Sequence, residues 1–142
     1  MNKALLLSIK PRFADAIFAG TKHFELRKVK PKVESGDLVL VYVTSPRCSL
    51  EGVFRVGSVL EMPPEQLWPR VRSSCALTKS EFMDYYTGKT TAFAITILEA
   101  WRLDTPVQLS ELRTERIIPP QGYRYLSAGE TRSLMGDGSI IS

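Results

Sequence analysis

The chain has 142 residues, 44% of them apolar and 24% charged, which are the values of an ordinary globular domain and exclude a disordered or fibrous chain. Nineteen Lys and Arg against 15 Asp and Glu leave a net charge of +4. Two cysteines without ligand spacing and a single histidine argue against a metal centre.

Met1-Asn2-Lys3 leads straight into a short apolar run unlike a signal peptide, and no apolar segment approaches a membrane span. The expectation is a reduced, cytoplasmic domain without cofactor. Residues 1–60 carry ten Lys and Arg against five Asp and Glu, whereas residues 61–142 carry nine against ten. The excess is densest at Arg27-Lys28-Val29-Lys30-Pro31-Lys32. Such a patch is either the footprint of a polyanion or a solvated strand edge guarded by lysines.

Ala4 to Ile9 is an apolar run and predicts a buried strand. Pro11 suits the first position of a helix, Phe13, Ala14, Ile17 and Phe18 give it an apolar stripe, and Gly20 ends it. From Lys22 to Lys28 the pattern alternates. A strand there sets Lys22, Phe24, Leu26 and Lys28 on one side and His23, Glu25 and Arg27 on the other.

Pro31 to Asp37 reads as a polar connection with a turn at Ser35-Gly36-Asp37. Leu38 to Val43 predicts a central strand, and Gly52 to Leu60 a further one with Gly57 at a bulge or tight bend. Glu65 to Val71 predicts a helical turn or two, with Leu67 and Trp68 buried. Thr78 and Glu81 form a capping-box pattern before Phe82, Tyr85 and Tyr86, in a helix that ends at Gly88.

Thr91 to Leu103 is the longest strand pattern, followed by a short helix near Leu109 to Leu112. Ile117 to Leu126 reads as extended chain, Ser127 to Met135 as a final helix, and Gly136 to Ser142 as a frayed tail. The domain is expected to span residues 1–126, with 127–142 as a C-terminal helix and tail. Five or six mostly antiparallel strands with short helices in the connections suit an α+β fold built on a small β-barrel.

Leu7-Ser8-Ile9-Lys10-Pro11 followed by Gly20-Thr21-Lys22-His23-Phe24-Glu25-Leu26-Arg27-Lys28 resembles the ASCH (activating signal cointegrator homology) family, whose recurring Gly-x-Lys-x-x-Glu-x-Arg is complete here. Val41-Tyr42-Val43-Thr44-Ser45-Pro46, Gly52-Val53-Phe54, Glu81-Phe82 with Tyr85-Tyr86 and Gly88, Ala92-Phe93-Ala94-Ile95 and Pro119-Pro120-Gln121-Gly122-Tyr123-Arg124-Tyr125-Leu126 follow in order. The resemblance covers about residues 4–126 and implies a PUA-like barrel beside a cleft lined by the Gly-x-Lys-x-x-Glu-x-Arg strand.

It also implies binding of nucleic acid, chiefly RNA or another single strand, or of a nucleotide. The family's namesake role is in transcriptional regulation. Lys10, Lys22, Glu25, Arg27, Lys28, Tyr42, Ser45, Arg47, Tyr86, Lys89, Gln121, Tyr123 and Arg124 are the candidate ligand-binding residues. Arg27 offers a planar fork for a phosphate or base edge, and Glu25 either accepts from an exocyclic amine or orients Arg27. Tyr42, Tyr86, Tyr123 and Tyr125 are candidate stacking surfaces. Only one of the adjacent Tyr85 and Tyr86 is expected to face a cleft.

Some family members are ribonucleases, and others are amidohydrolases acting on N4-acetylcytidine through a lysine, a threonine and a glutamate. Lys22 falls on that lysine, but Glu25 occupies the threonine position and Cys75 the glutamate position. The amidohydrolase nucleophile is therefore missing. A hydrolase acting on RNA or a modified nucleoside is the alternative to a binding domain, with Lys22, Glu25 and Arg27 as its catalytic candidates.

Overall fold

The computed structural model describes residues 2–135, so the tail expected to fray lies outside the described residues. Six strands form one curled sheet: β1 (Ala4–Ile9), β2 (Phe24–Arg27), β3 (Leu38–Val43), β4 (Ser49–Met62), β5 (Ala92–Gln108) and β6 (Tyr123–Leu126). Their order across the sheet is β2-β5-β4-β3-β1-β6, with β1 and β3 parallel and every other pair antiparallel. Five short helices lie in the connections and at the end: α1 (Pro11–Phe18), α2 (Pro64–Val71), α3 (Lys79–Tyr85), α4 (Leu109–Thr114) and α5 (Ala128–Met135).

The two faces of the sheet bury separate cores, as strict alternation along β3 dictates. Val39, Val41 and Val43 join Leu7, Ile9, Phe54, Ile95 and the α1 residues Ala14 and Ile17 on one face. Leu38, Leu40 and Tyr42 join Leu6, Leu50, Val53, Leu112 and Ile117 on the other. That second core also takes Leu134 and Met135 from α5, so the final helix packs on the same core as residues 1–126. A third cluster, with Leu67, Val71, Phe82, Tyr86 and Leu26, seats α2 and α3 against β2 and the start of β5.

Local chemistry sets the element ends. Pro11 opens α1, and Gly20, at φ 81°, lets the amides of Thr21 and Lys22 turn back to the Ala16 carbonyl. In α3 the Thr78 hydroxyl accepts from the Glu81 amide while the Glu81 carboxylate accepts from the Thr78 amide. The β4–β5 register shifts between Val56 and Val59, around Gly57.

Two expectations are corrected. β5 does not stop near Leu103 but runs to Gln108, because Thr105-Pro106 falls inside the register shift between Leu50 and Gly52, where no ladder donor is required of proline. Of the extended run from Ile117, only Tyr123–Leu126 pairs, since Pro119 and Pro120 have no amide to offer. The sheet's edges, β2 and β6, are spanned by residues 28–37, where the Lys32 amide donates to the Tyr123 hydroxyl and the Tyr125 hydroxyl donates to the Lys32 carbonyl. None of the described helices is long and apolar enough to cross a membrane.

Candidate nucleic-acid interface

The site is built on the free edge of β2. Pairing with β5 uses one side of this four-residue strand, and side chains from elsewhere occupy the other. The Lys22 ammonium donates to the Phe24 carbonyl at 2.6 Å and to the Cys75 carbonyl at 2.9 Å. Tyr85 donates to the Leu26 carbonyl at 3.1 Å on that free edge, whereas Tyr86 caps the end of the β2–β5 ladder, donating to the carbonyls of the paired Arg27 and Phe93. Burial holds the phenols of Tyr85 and Tyr86 above their ordinary pKa.

Glu25 sits between two cations. Its carboxylate lies 3.7 Å from Lys22 Nζ and accepts from Arg27 Nη1 at 3.3 Å. Glu25 and Arg27 share a face as the alternation requires, but Lys22 does not follow the alternation and joins them. Lys22 precedes β2, and its amide is still bonded to α1, so the strand's pleat does not set its direction. Desolvation lowers its pKa, opposed by the neighbouring Glu25 charge.

In front of these groups lies a cavity of about 350 Å³ lined by Ser8, Ile9, Lys10, Arg12, Phe13, Lys22, Glu25, Leu26, Arg27, Leu77, Glu81 and Tyr85. Four cationic side chains therefore face two carboxylates. Arg12 reaches across from α1 to α3, donating to Glu81 at 3.0 Å and to the Ala76 carbonyl, and its guanidinium lies over the Phe13 ring. Lys10 is exposed and makes no ion pair among the described residues. A second cavity of about 480 Å³ adjoins the first, sharing Arg27 and Tyr85 with it and adding Lys28, Val29, Gly122 and Tyr123.

Of the residues proposed from sequence, Lys10, Lys22, Glu25 and Arg27 line the first cavity, and Arg27, Lys28 and Tyr123 line the second. The others lie elsewhere. Tyr42 is 6% exposed within the second core, on the face away from Val41 and Val43. Tyr86 is a core residue, and its neighbour Tyr85 is the tyrosine that faces the cavities. Arg47 is held by Asp15 and Glu51, which raise its pKa, and so belongs to an ion network beside the β3–β4 turn.

Ser45, Lys89 and Gln121 are exposed and outside both cavities. Arg124 alternates away from Tyr123 and pairs with Glu130 at 3.1 Å. Sequence reading missed Arg12, Phe13 and Tyr85 as lining residues. Arg12 and Phe13 stand directly after Lys10-Pro11, and their place at the start of a helix was the available signal.

The ASCH domain family matches residues 7–103, and the chain belongs to that family. Its α+β, PUA-like half-barrel is the fold of ASCH structures: the crystal structure of ASCH from Zymomonas mobilis superposes with a TM-score of 0.88 at 27% identity, covering 93% of each chain. The chain is 30% identical over 136 residues to the ASCH domain-containing ribonuclease of Zymomonas mobilis, which spans 94% of this chain and 91% of that protein. It is also 30% identical over 126 residues to the large ribosomal subunit protein uL22 of Ureaplasma parvum, of which it covers 40%.

Proposed function

We propose that this chain binds single-stranded RNA, with one unpaired nucleotide entering the cavity in front of Glu25 and Arg27. The observation that carries the reading is Arg27. Its guanidinium is oriented by Glu25, only 19% exposed, and opens on both cavities. A planar fork fixed in that way suits a phosphate oxygen pair, while Phe13 and Tyr85 supply aromatic walls for a base. A volume of about 350 Å³ is that of a small-ligand pocket and accommodates a nucleotide rather than a duplex. The ribonuclease named among the relatives supports RNA as the polymer.

The test is a titration of labelled single-stranded RNA, single-stranded DNA and duplex RNA at several salt concentrations. Saturable binding that weakens linearly in log salt, favours the single-stranded RNA and drops about tenfold or more in Arg27→Ala is the expected result. Equal, salt-independent association of all three would overturn it.

The same relative favours a second reading, cleavage of the bound strand. In it Arg27 stabilises the charge that develops on the phosphate, and Lys22 and Glu25 hold Arg27 in position. Incubation of the protein with single-stranded RNA should then release shorter products, and Arg27→Ala should slow their release. Cleavage undiminished in Arg27→Ala would put the chemistry elsewhere. Amide hydrolysis is not proposed, because no hydroxyl nucleophile stands at Glu25.

A further inference from the structure

We infer that the second cavity is a subsite for the neighbouring nucleotide, so that the smallest ligand filling the site is a dinucleotide whose linking phosphate rests on Arg27. This rests on the reading of the first cavity as a nucleotide pocket and adds the length of ligand and the role of a separate set of side chains. The geometric basis is that the two cavities are not independent. They share one wall, made of Arg27 and Tyr85, so a ligand that leaves one past Arg27 enters the other.

The second cavity has the chemistry of a nucleotide site. Lys28 Nζ lies 4.6 Å from the Tyr85 ring centroid, held beside the shared wall by a cation–π contact, and it makes no ion pair among the described residues. It can therefore accept an anion without first releasing a carboxylate. Tyr123 is held by a T-shaped contact with Tyr125 and by the Lys32 amide, which donates to its hydroxyl, so an aromatic ring is preset at this cavity. Val29, 73% exposed, is a large apolar side chain left open to solvent at this cavity, where a stacked base would cover it.

Gly122 forms the remaining wall. A Cβ there would meet only Arg27 Nη2, at 3.8 Å, so nothing in the backbone geometry prevents a side chain. The lack of one keeps the space beside the guanidinium clear. The cavity brings the cations Arg27 and Lys28 together with Tyr85, Tyr123 and Val29, and so pairs recognition of an anion with aromatic and apolar surface, as a single-stranded nucleic-acid groove requires.

The experiment compares a diuridine ribonucleotide with the same molecule lacking its second base, and separately lacking its first. Calorimetric titration of the 142-residue chain at one salt concentration gives the affinities, and the three probes carry the same phosphate charge. The dinucleotide should bind about fivefold or more tighter than either one-base analogue, the gain expected from stacking one further base. Gly122→Val, which intrudes on the second cavity, should bring the ratio to about 1 for the analogue that keeps the base of the first cavity and leave it high for the other, and Tyr123→Ala should do the same. Tight one-base binding with no gain from the second base, or a ratio unmoved by both variants, would overturn the second subsite while leaving the first. Failure of all three probes to bind would overturn the nucleotide reading itself, and the subsite with it.

Discussion

Lys22 Nζ stands 3.7 Å from Glu25 Oε1, with side-chain exposures of 3% and 9%, so β2 begins on a buried ion pair. The pair has support that an isolated buried pair lacks. The ammonium also donates to two carbonyls, and the carboxylate accepts from Arg27. Such a pair costs desolvation on both sides, and its value lies in fixing Arg27 rather than in net stability.

Lys22→Met keeps the length of the stem and removes the charge. It leaves the Phe24 and Cys75 carbonyls without this donor and Glu25 with one cation. A loss of about 2–4 kcal/mol in urea unfolding is expected, with weakened RNA binding where the fold survives. A loss under about 0.5 kcal/mol would show that the two carbonyls find other donors.

Arg27→Lys and Arg27→Ala should weaken RNA binding to similar extents. Lysine retains the charge but not the planar fork that Glu25 orients and that two cavities share. Both variants should lose about tenfold, and only Arg27→Ala should also reduce the slope of log affinity on log salt by about one contact. Full rescue by lysine would show that charge alone is read at this position.

Glu51 accepts from Arg47 and from the Ser49 hydroxyl, and Arg47 also pairs with Asp15, so both carboxyls are held below their ordinary pKa, chiefly by Arg47. Between the lowered folded pKa and the unfolded one, the unfolded chain binds more protons. Stability from this network is therefore complete above about pH 4.5 and declines as the pH falls below it. Arg47→Met should cost about 1–3 kcal/mol at neutral pH and flatten the acid limb of the stability curve. An unchanged acid limb would assign acid sensitivity to other carboxyls.

Gly52 packs under the Phe18 ring and against the Trp101 carbonyl, and a Cβ there would overlap both. Gly52→Ala should lose about 3 kcal/mol or more in thermal or urea unfolding. Adding Phe18→Ala should not restore it, because the backbone carbonyl remains in the way. Full rescue by the second substitution would identify the ring as the sole obstacle.

Local pattern made much of the scaffold legible. The bounds of β1 and β3 match the sequence reading, and the Thr78–Glu81 capping box, Pro11 at the helix start and the Gly20 stop are where short-range chemistry puts them. The Glu25–Arg27 face is likewise a period-two relation inside one strand. What failed depended on contacts between distant segments. Alternation shows that Tyr42 opposes Val41, but not which face of the sheet carries the cavity.

Tyr85 and Tyr86 differ by about 100° on a helix, and only the seat of α3 on β2 and β5 decides which one is core. Arg47 has its partners 32 positions back and four positions on, so a free cation in the sequence is a neutralised one in the fold. Arg12 looks like a solvated first-turn residue until α3 meets it, 69 positions later.

The brevity of β2 has a dynamic consequence. Four residues paired on one side make a weak ladder, and the strand's order depends on the side-chain bonds from Lys22, Tyr85 and Tyr86. It should open locally at a lower free energy than β3, which is flanked on both sides and buried on both faces. Any ligand that bridges Arg27 and Tyr85 closes that opening. Amide hydrogen exchange at Phe24–Arg27 should then slow on binding by more than exchange anywhere in the central strands, which makes β2 an intrinsic reporter of occupancy.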